Sequence, residues 1–512
     1  HNGIVENHRD LRAKLEAGGH RLVSTTDSEV LAHLLEDGAA AGLGLADAVE
    51  ATVAMVEGSL ALAVIAADQP DLVVVARRGS PLVVGTTATA GLAASDVHAL
   101  LAHTSELYAV GDGQVVEIRP GRVVVVSPAK ATMRRERRGM IGETTAPDRG
   151  GFADFMLKEI HEQPTAIAAT LGRRSDEAGG PAAAMILAAA GDVSRVVIVG
   201  CGTSLHAGLA ARPALESWAR LPVECEIASE LRYRDVVFDR TTLVIGVSQS
   251  GETIDTLDAL RRCRAQGNQV LAVTNVAGSA LAREADEVLY TRAGPEVGVA
   301  ATKTHVTQMV ALQRLAVDLA ASRATLPPER TAALYTALTA LPARVEEALG
   351  RTEAVFAVAR RLADRRDFFF LGRGTGYALA LEGALKLKEI AYVRAEAYAA
   401  GEMKHGPIAL IDPASVVVGV VGSGLLRSKM LSNIAEMRAR GATVVLVAAD
   451  GDEEAADMAD AVLGVPPPTA GAELLSPAVE VVALQLFTYA IAKARGLDVD
   501  RPRNLAKTVT VE

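Results

Sequence analysis

The chain repeats itself, and that constrains its fold more than any other feature. Val196-Val197-Ile198-Val199-Gly200-Cys201-Gly202-Thr203 has a counterpart in Phe368-Phe369-Phe370-Leu371-Gly372-Arg373-Gly374-Thr375, 172 positions further on. Val310-Ala311-Leu312-Gln313 returns as Val482-Ala483-Leu484-Gln485 at the same offset, and Arg264-Ala265-Gln266-Gly267 resembles Arg438-Ala439-Arg440-Gly441 at 174. Three matches in near register define two copies of one unit. In each copy a β-branched or aromatic run enters a Gly turn, then a longer helical pattern, then another strand. Strands alternating with helices predict α/β architecture, a doubly wound parallel sheet with helices on both faces. The copies are expected at about 185–330 and 355–500, with a tail at 501–512.

The rest of the chain is a different kind of segment. At roughly 150 residues per domain, 512 residues predict about three domains. Residues 1–128 read as mixed α and β, with helical patterns at 30–35 and 45–56 and apolar strand runs at 60–65, 72–76, 81–84 and 123–126. Between about 129 and 165 the charged run Arg134 to Arg138 and a polar, Gly- and Pro-containing stretch read as a linker. Half of all residues are hydrophobic, so large cores are available, and with only eight Phe, eight Tyr and one Trp they must be filled by Ala and Val.

A net charge of −10 argues against a broad nucleic-acid or membrane surface, though not against a local anion pocket. No apolar run is expected to reach the roughly 18 residues of a membrane helix. Cys201, Cys225 and Cys263 form no even framework and no metal-ligand spacing, which predicts a reducing, cytoplasmic compartment. No metal constellation and no cofactor are called for.

Two turns carry chemistry. Ser248-Gln249-Ser250-Gly251-Glu252-Thr253 follows the apolar strand Leu243 to Val247 and opens the helical run from Ile254. A strand end running into a helix N-terminus presents free N–H groups and the positive end of the dipole. The hydroxyls and amide add donors, and Gly251 lets an anion approach the backbone, which suits a phosphate monoester. The same string also serves as an ordinary Ser/Thr cap with a capping-box Glu. Cys201-Gly202-Thr203-Ser204 ends the preceding strand and would bring Ser204 and the Thr203 amide to the same pocket, or form a plain Gly turn.

These turns, with Glu382-Gly383-Ala384-Leu385-Lys386-Leu387-Lys388-Glu389, Gly401-Glu402-Met403-Lys404-His405-Gly406-Pro407 and the tail from Arg503 to Glu512, resemble the glutamine–fructose-6-phosphate aminotransferases (isomerizing). The repeats resemble sugar isomerase (SIS) domains. The resemblance runs the whole length, and its tail and Glu-Gly-Ala-Leu-Lys stretch are the specific parts. It implies that the substrates are fructose 6-phosphate and glutamine or ammonia. It implies that Lys507 forms a Schiff base with the open ketose, that His405 shuttles the ring-opening proton across a subunit boundary, and that Glu389 moves the proton between C1 and C2. Lys386, three residues before Glu389 on one helical face, would hold that carboxylate ionised and aligned. The phosphate falls to Thr203, Ser204, Ser248, Gln249, Ser250 and Thr253; Val299, Ala301 and Ala506 line the sugar. Many relatives carry Ser where Ala301 stands, which weakens a hydroxyl contact there. A site completed by a neighbour's His implies a homodimer or higher homo-oligomer.

The first 128 residues resemble part of an Ntn-type glutaminase, an α+β domain. Asn2 and Gly3 correspond to an oxyanion-hole pair, which stabilises a tetrahedral intermediate by a side-chain amide and a backbone N–H; without the resemblance they read as a hairpin turn. Asp27 corresponds to the residue that binds the α-amino group of glutamine. The family's N-terminal cysteine nucleophile has no counterpart, so the polypeptide as given is expected to have lost glutamine hydrolysis and to retain at most ammonia-dependent amination or sugar isomerisation. A competing reading, from another class, is a non-catalytic SIS-domain sugar-phosphate sensor; it shares the Ser-rich turn but not the combination of Glu389, His405 and Lys507. A deglycase or isomerase of the same fold would lack the glutaminase-like first segment.

Overall fold

The computed structural model describes residues 1–95, 98–101, 103–104, 106–126, 134–136, 148–172 and 192–508. The two repeats fold as two five-stranded sheets in which every pairing is parallel. In the first the spatial order is Val223–Ile227, Arg195–Gly200, Thr242–Ser248, Gln269–Thr274, Glu287–Tyr290. In the second it is Arg394–Ala399, Asp367–Gly372, Val416–Val420, Thr443–Ala449, Ala461–Val465. The connections reverse beside the first strand of each sheet, which opens a crevice at the carboxyl ends of the central strands. Thr242–Ser248 and Val416–Val420 are buried along their whole length, as continuous apolar strands covered on both faces must be.

One hydrophobic core runs through both repeats, with members from Met156 to Val499. Its middle is helical: Thr375–Ala391 packs on Gly202–Trp218 and on Pro477–Ala494, and Lys303–Ser322 packs on Gly202–Trp218. Phe368 meets Phe487 edge-on, with ring centroids 6.5 Å apart. The segment Glu473–Ala494 corrects one expectation, since it is long and apolar enough to cross a membrane. It is instead wrapped by protein, with sixteen buried residues from Pro477 to Ala492, because a helix at the centre of two packed domains has no polar face to keep.

The described residues before 137 form a five-stranded antiparallel sheet (Asn2–Gly3, Leu60–Ala66, Gln69–Arg78, Val115–Arg119, Arg122–Val125) with a four-stranded sheet on one face. Helices His8–Ala17, Glu29–Ala40 and Leu45–Met55 cover the other face. The stretch read as a linker is partly built in. Arg134–Glu136 is a strand paired with Leu107–Ala109. Phe155–His161 is a helix whose Met156 and Ile160 enter the shared core; their burial outweighs the polar composition around them. The residues 137 and 138 of the charged run lie outside the described residues, as does the tail after 508.

Candidate functional site

The two turns expected at the phosphate lie side by side, because Gly200 pairs with Val247 and both strands end there. Helix Gly202–Trp218 starts from the first and helix Ile254–Ala265 from the second, so two helix N-termini open on one crevice. In the second turn the Ser248 and Thr253 hydroxyls are 2.9 Å apart, the N–H of Gly251 donates to Ser248 Oγ (3.1 Å), and that of Glu252 donates to Ser250 Oγ (3.2 Å). Glu252 does not close a capping box. Its carboxylate accepts the N–H of Ala280 across the loop. Gly251 has φ +66°, and a Cβ there would meet Ser279 Oγ at 2.1 Å and Thr274 Oγ1 at 2.9 Å. The glycine is therefore demanded by the protein's own packing. Hydroxyls turned toward one another on a positive helix end are a preorganised set of donors for an anion.

The second repeat contributes charge. On helix Thr375–Ala391, Glu382, Lys386 and Glu389 lie on one face, with Lys386 Nζ 2.5 Å from Glu389 and 3.4 Å from Glu382. Glu382 and Lys386 are fully buried, while Glu389 keeps 21% of its side chain exposed. Across the domain boundary, Thr203 Oγ1 donates to Glu382 (3.1 Å), and His206 Nδ1 lies 2.8 Å from its other oxygen. Burial alone would raise the Glu382 carboxyl, but the Lys386 ammonium and the neighbouring histidines outweigh it and hold the group well below the usual range. Burial likewise works against the Lys386 ammonium and is overcome by Glu382 and Glu389, which push its pKa up. A permanently charged lysine between two carboxylates keeps Glu389 oriented while leaving it reachable.

The tail brings in the third group. Asp500 accepts the N–H groups of Phe155 and Met156 (3.0 and 2.9 Å), and the N–H of Arg503 donates to the Tyr392 hydroxyl (2.8 Å), with the guanidinium over the ring. So anchored, the chain lays Lys507 Nζ 2.5 Å from Glu296 Oε2 and 2.7 Å from the Gly298 carbonyl. Glu296 is fully buried and also accepts from Thr302 N–H and from the Thr304 N–H and hydroxyl. Burial pushes its carboxyl up, yet the Lys507 ammonium and these bonds bring it below its ordinary value. Glu159 stands behind the same loop and accepts the N–H groups of Val297 and Gly298. Burial, and then the neighbouring Glu296 charge, push Glu159 up to about 7.

Residues 302–305 join the two clusters. Thr302 and Thr304 bond Glu296, and His305 Nδ1 lies 3.1 Å from the carbonyl of Thr203, the residue that bonds Glu382. A carbonyl can only accept, so this imidazole carries its proton on Nδ1. Its buried Nε2 has no partner among the described residues, and burial pushes its pKa down.

Not every expected residue converges. No hydrogen bond or ion pair joins Lys507, Glu389 and His405 to one another among the described residues; Lys507 pairs with Glu296, and Glu389 with Lys386. His405 ends the 3-10 helix Ala400–His405 and is exposed, while Lys404 beside it pairs with Glu436 (2.8 Å). Ser204 heads the helix Gly202–Trp218 and Gln249 is half-buried in its turn. Val299 donates its N–H to the Asp500 carbonyl (3.0 Å), Ala301 is half-buried, and Ala506 is exposed.

In the first domain Asn2 and Gly3 are not a hairpin turn. They pair antiparallel with Ala61 and Leu60, because Gly3 lies so close to Ser59 that a Cβ would meet its carbonyl at 2.1 Å. Asn2 Nδ2 donates to Ser95 Oγ (2.9 Å), and Asp27 Oδ2 accepts the Val5 N–H (2.7 Å). Glu159, His206, Glu296, His305 and Glu382 were missed by the sequence reading. Glu382 had a signal, since it stands four and seven residues before Lys386 and Glu389. The others reach the site only through tertiary contacts.

Comparison with known proteins agrees with this division. The SIS domain family matches residues 192–318 and 361–493, and a glutamine amidotransferase domain family matches 1–102. The glutamine–fructose-6-phosphate aminotransferase (isomerizing) of Streptomyces coelicolor is 47% identical over all of this chain and 84% of its own length. That of Thermus thermophilus is 46% identical with the same coverage. The solved C-terminal domain of glucosamine-fructose-6-phosphate aminotransferase from Francisella tularensis superimposes with a TM-score of 0.66 at 37% identity, over 70% of this chain and 100% of that one. Tagatose-6-phosphate ketose/aldose isomerase from Escherichia coli shares the fold, with a TM-score of 0.59 at 20% identity. Sequence identity on this scale, spread over both repeats and the glutaminase-like segment, means that the chain belongs to the glutamine–fructose-6-phosphate aminotransferase (isomerizing) family.

Proposed function

We propose that this chain transfers the amide nitrogen of glutamine, or free ammonia, to fructose 6-phosphate and isomerises the product to glucosamine 6-phosphate. The observation that carries this reading is Lys507: an amine held by the buried Glu296 carboxylate and the Gly298 carbonyl.

Thr203, Ser204, Ser248, Gln249, Ser250 and Thr253 take the phosphate, supported by the two helix N-termini. Val299, Ala301 and Ala506 border the sugar. Once the ring is open, Lys507 attacks C2; its proton passes to Glu296, already bonded to it, and water leaves as the imine forms. Ammonia displaces the lysine to give fructosimine 6-phosphate. Glu389 then takes a proton from C1 and delivers one to C2, completing the aldose amine. Lys386 holds Glu389 in place, and Glu382 balances Lys386. His405 assists ring opening from a second copy of the chain, which makes the working unit at least a homodimer. Asn2, Gly3 and Asp27 serve the glutamine site. All three cysteines are free thiols, in keeping with a reducing cytoplasmic setting.

The test is to add borohydride in the presence of fructose 6-phosphate and map the adduct. Reduction is expected to fix the sugar on Lys507, and Lys507→Arg to abolish both the adduct and glucosamine 6-phosphate formation from ammonia. An adduct elsewhere, or an unimpaired Lys507→Arg variant, overturns the mechanism.

A further inference from the structure

A second cluster lies in the glutaminase-like domain, apart from the sugar site. His33 and Glu36 stand three residues apart on helix Glu29–Ala40 and so share a face. His20 arrives from the turn after helix His8–Ala17, where Gly19 (φ +97°) redirects the chain. His20 Nδ1 lies 3.1 Å from His33 Nδ1 and 3.3 Å from Glu36 Oε2, and His33 Nδ1 lies 3.1 Å from the same Glu36 oxygen. The three donor atoms thus form a nearly equilateral triangle. A tetrahedral zinc ion with bonds of about 2.0–2.1 Å sets its ligands about 3.3 Å apart. The rings do not stack: their planes meet at 62° with centroids 4.9 Å apart, so their Nδ1 edges converge.

The surroundings are those of a metal-binding histidine. His20 Nε2 lies 2.6 Å from Asp37 Oδ1, and the far nitrogen of His33 lies 4.0 Å from Glu29. A ligating imidazole usually donates its second N–H to such a carboxylate, which fixes the tautomer and frees the other nitrogen's lone pair for the metal. Here Asp37 leaves His20 Nδ1 as that lone pair. The His20 and His33 side chains are 15% and 20% exposed, against 66% for Glu36. The triangle therefore has a packed base and a solvent-facing edge, where water completes the coordination. Two imidazole nitrogens and one carboxylate select a zinc-like transition metal over magnesium or calcium.

We infer that His20, His33 and Glu36 form a site for a zinc-class divalent cation, with Asp37 as the orienting partner of His20. The ion would staple the turn after the first helix to the second helix. The loop it closes, from His20 to His33, contains Asp27, which holds the Val5 N–H beside strand Asn2–Gly3. The cation would therefore stiffen the expected glutamine pocket without entering it.

The experiment equilibrates the chain with Zn²⁺, desalts it and counts retained metal; Co²⁺ replaces zinc in a parallel sample for its visible spectrum. One retained equivalent per chain, a tetrahedral Co²⁺ spectrum and a higher thermal midpoint with Zn²⁺ are expected. His20→Ala and His33→Ala should lose all three. Asp37→Asn touches no metal and is expected to weaken affinity by about 10- to 100-fold. It keeps the test decisive should an alanine variant fold poorly, as judged by its metal-free midpoint. Zinc retention equal in wild type and His20→Ala, or unchanged affinity in Asp37→Asn, overturns the site.

Discussion

The two repeats have the same strand order and the same parallel register, yet they carry different chemistry. The first presents Ser248, Ser250 and Thr253 after its third strand in space; 172 positions later the second has Val420, Gly422 and Leu425. The helix of the second repeat carries Glu382, Lys386 and Glu389, where the first has Ala210, Ala214 and Ser217. One copy offers neutral donors at a helix end and the other a buried charge relay on a helix face. The backbone decides where a site can lie, and a few side chains decide what it does. The two repeats are joined where the charged helix packs on Gly202–Trp218 and Thr203 bonds Glu382.

The largest effect is expected for Glu389→Gln, which should lower kcat for glucosamine 6-phosphate formation by about 10²- to 10⁴-fold with little change in KM. The mirror change Ser217→Ala in the first repeat should leave steady-state kinetics unaltered. Next is Lys386→Met, which takes from the buried Glu382 its ammonium partner and leaves it only Thr203 and His206. It should cost about 3–5 kcal/mol of stability by denaturant unfolding. Should the variant melt like wild type, the relay carries no such burden.

Removing a phosphate donor is smaller. Ser248→Ala should weaken fructose 6-phosphate binding by about 10- to 100-fold, the worth of one hydrogen bond to a charged group. Ser423→Ala in the second repeat should leave calorimetric affinity unchanged. Smallest is a pH effect at Glu159. Its carboxyl sits at about 7 in the fold against an ordinary 4.5. Between those values the folded chain holds a proton that the unfolded chain has released. Stability from this group is therefore full at the acid end and is lost as pH rises through about 7. Glu159→Gln should flatten the thermal midpoint across that window; an unchanged slope would place the buried charge elsewhere.

Much of the fold was legible because it rests on local pattern. The offset of 172, the Val-rich strands and the Gly turns announced two doubly wound sheets, and the structure has them. The Ser248 turn was legible for the same reason: strand, donors and helix start are contiguous. The pairing of Lys386 with Glu389 followed from helical spacing. The segment around Met156 and Ile160 was misread as linker because its burial is provided by residues hundreds of positions away. Glu252 was ambiguous until its bond to Ala280 existed.

By itself, then, the order of amino acids determined the duplication, the strand–turn–helix periodicity and the identity of the groups able to do chemistry, since all of these are short-range properties of a covalent string. Tertiary structure alone decided who meets whom. It placed Lys507 on Glu296, Thr203 and His206 on Glu382, and His20 on His33. Those encounters depend on how two packed domains and a folded-back tail close, and no local preference encodes a distance between residues far apart along the chain.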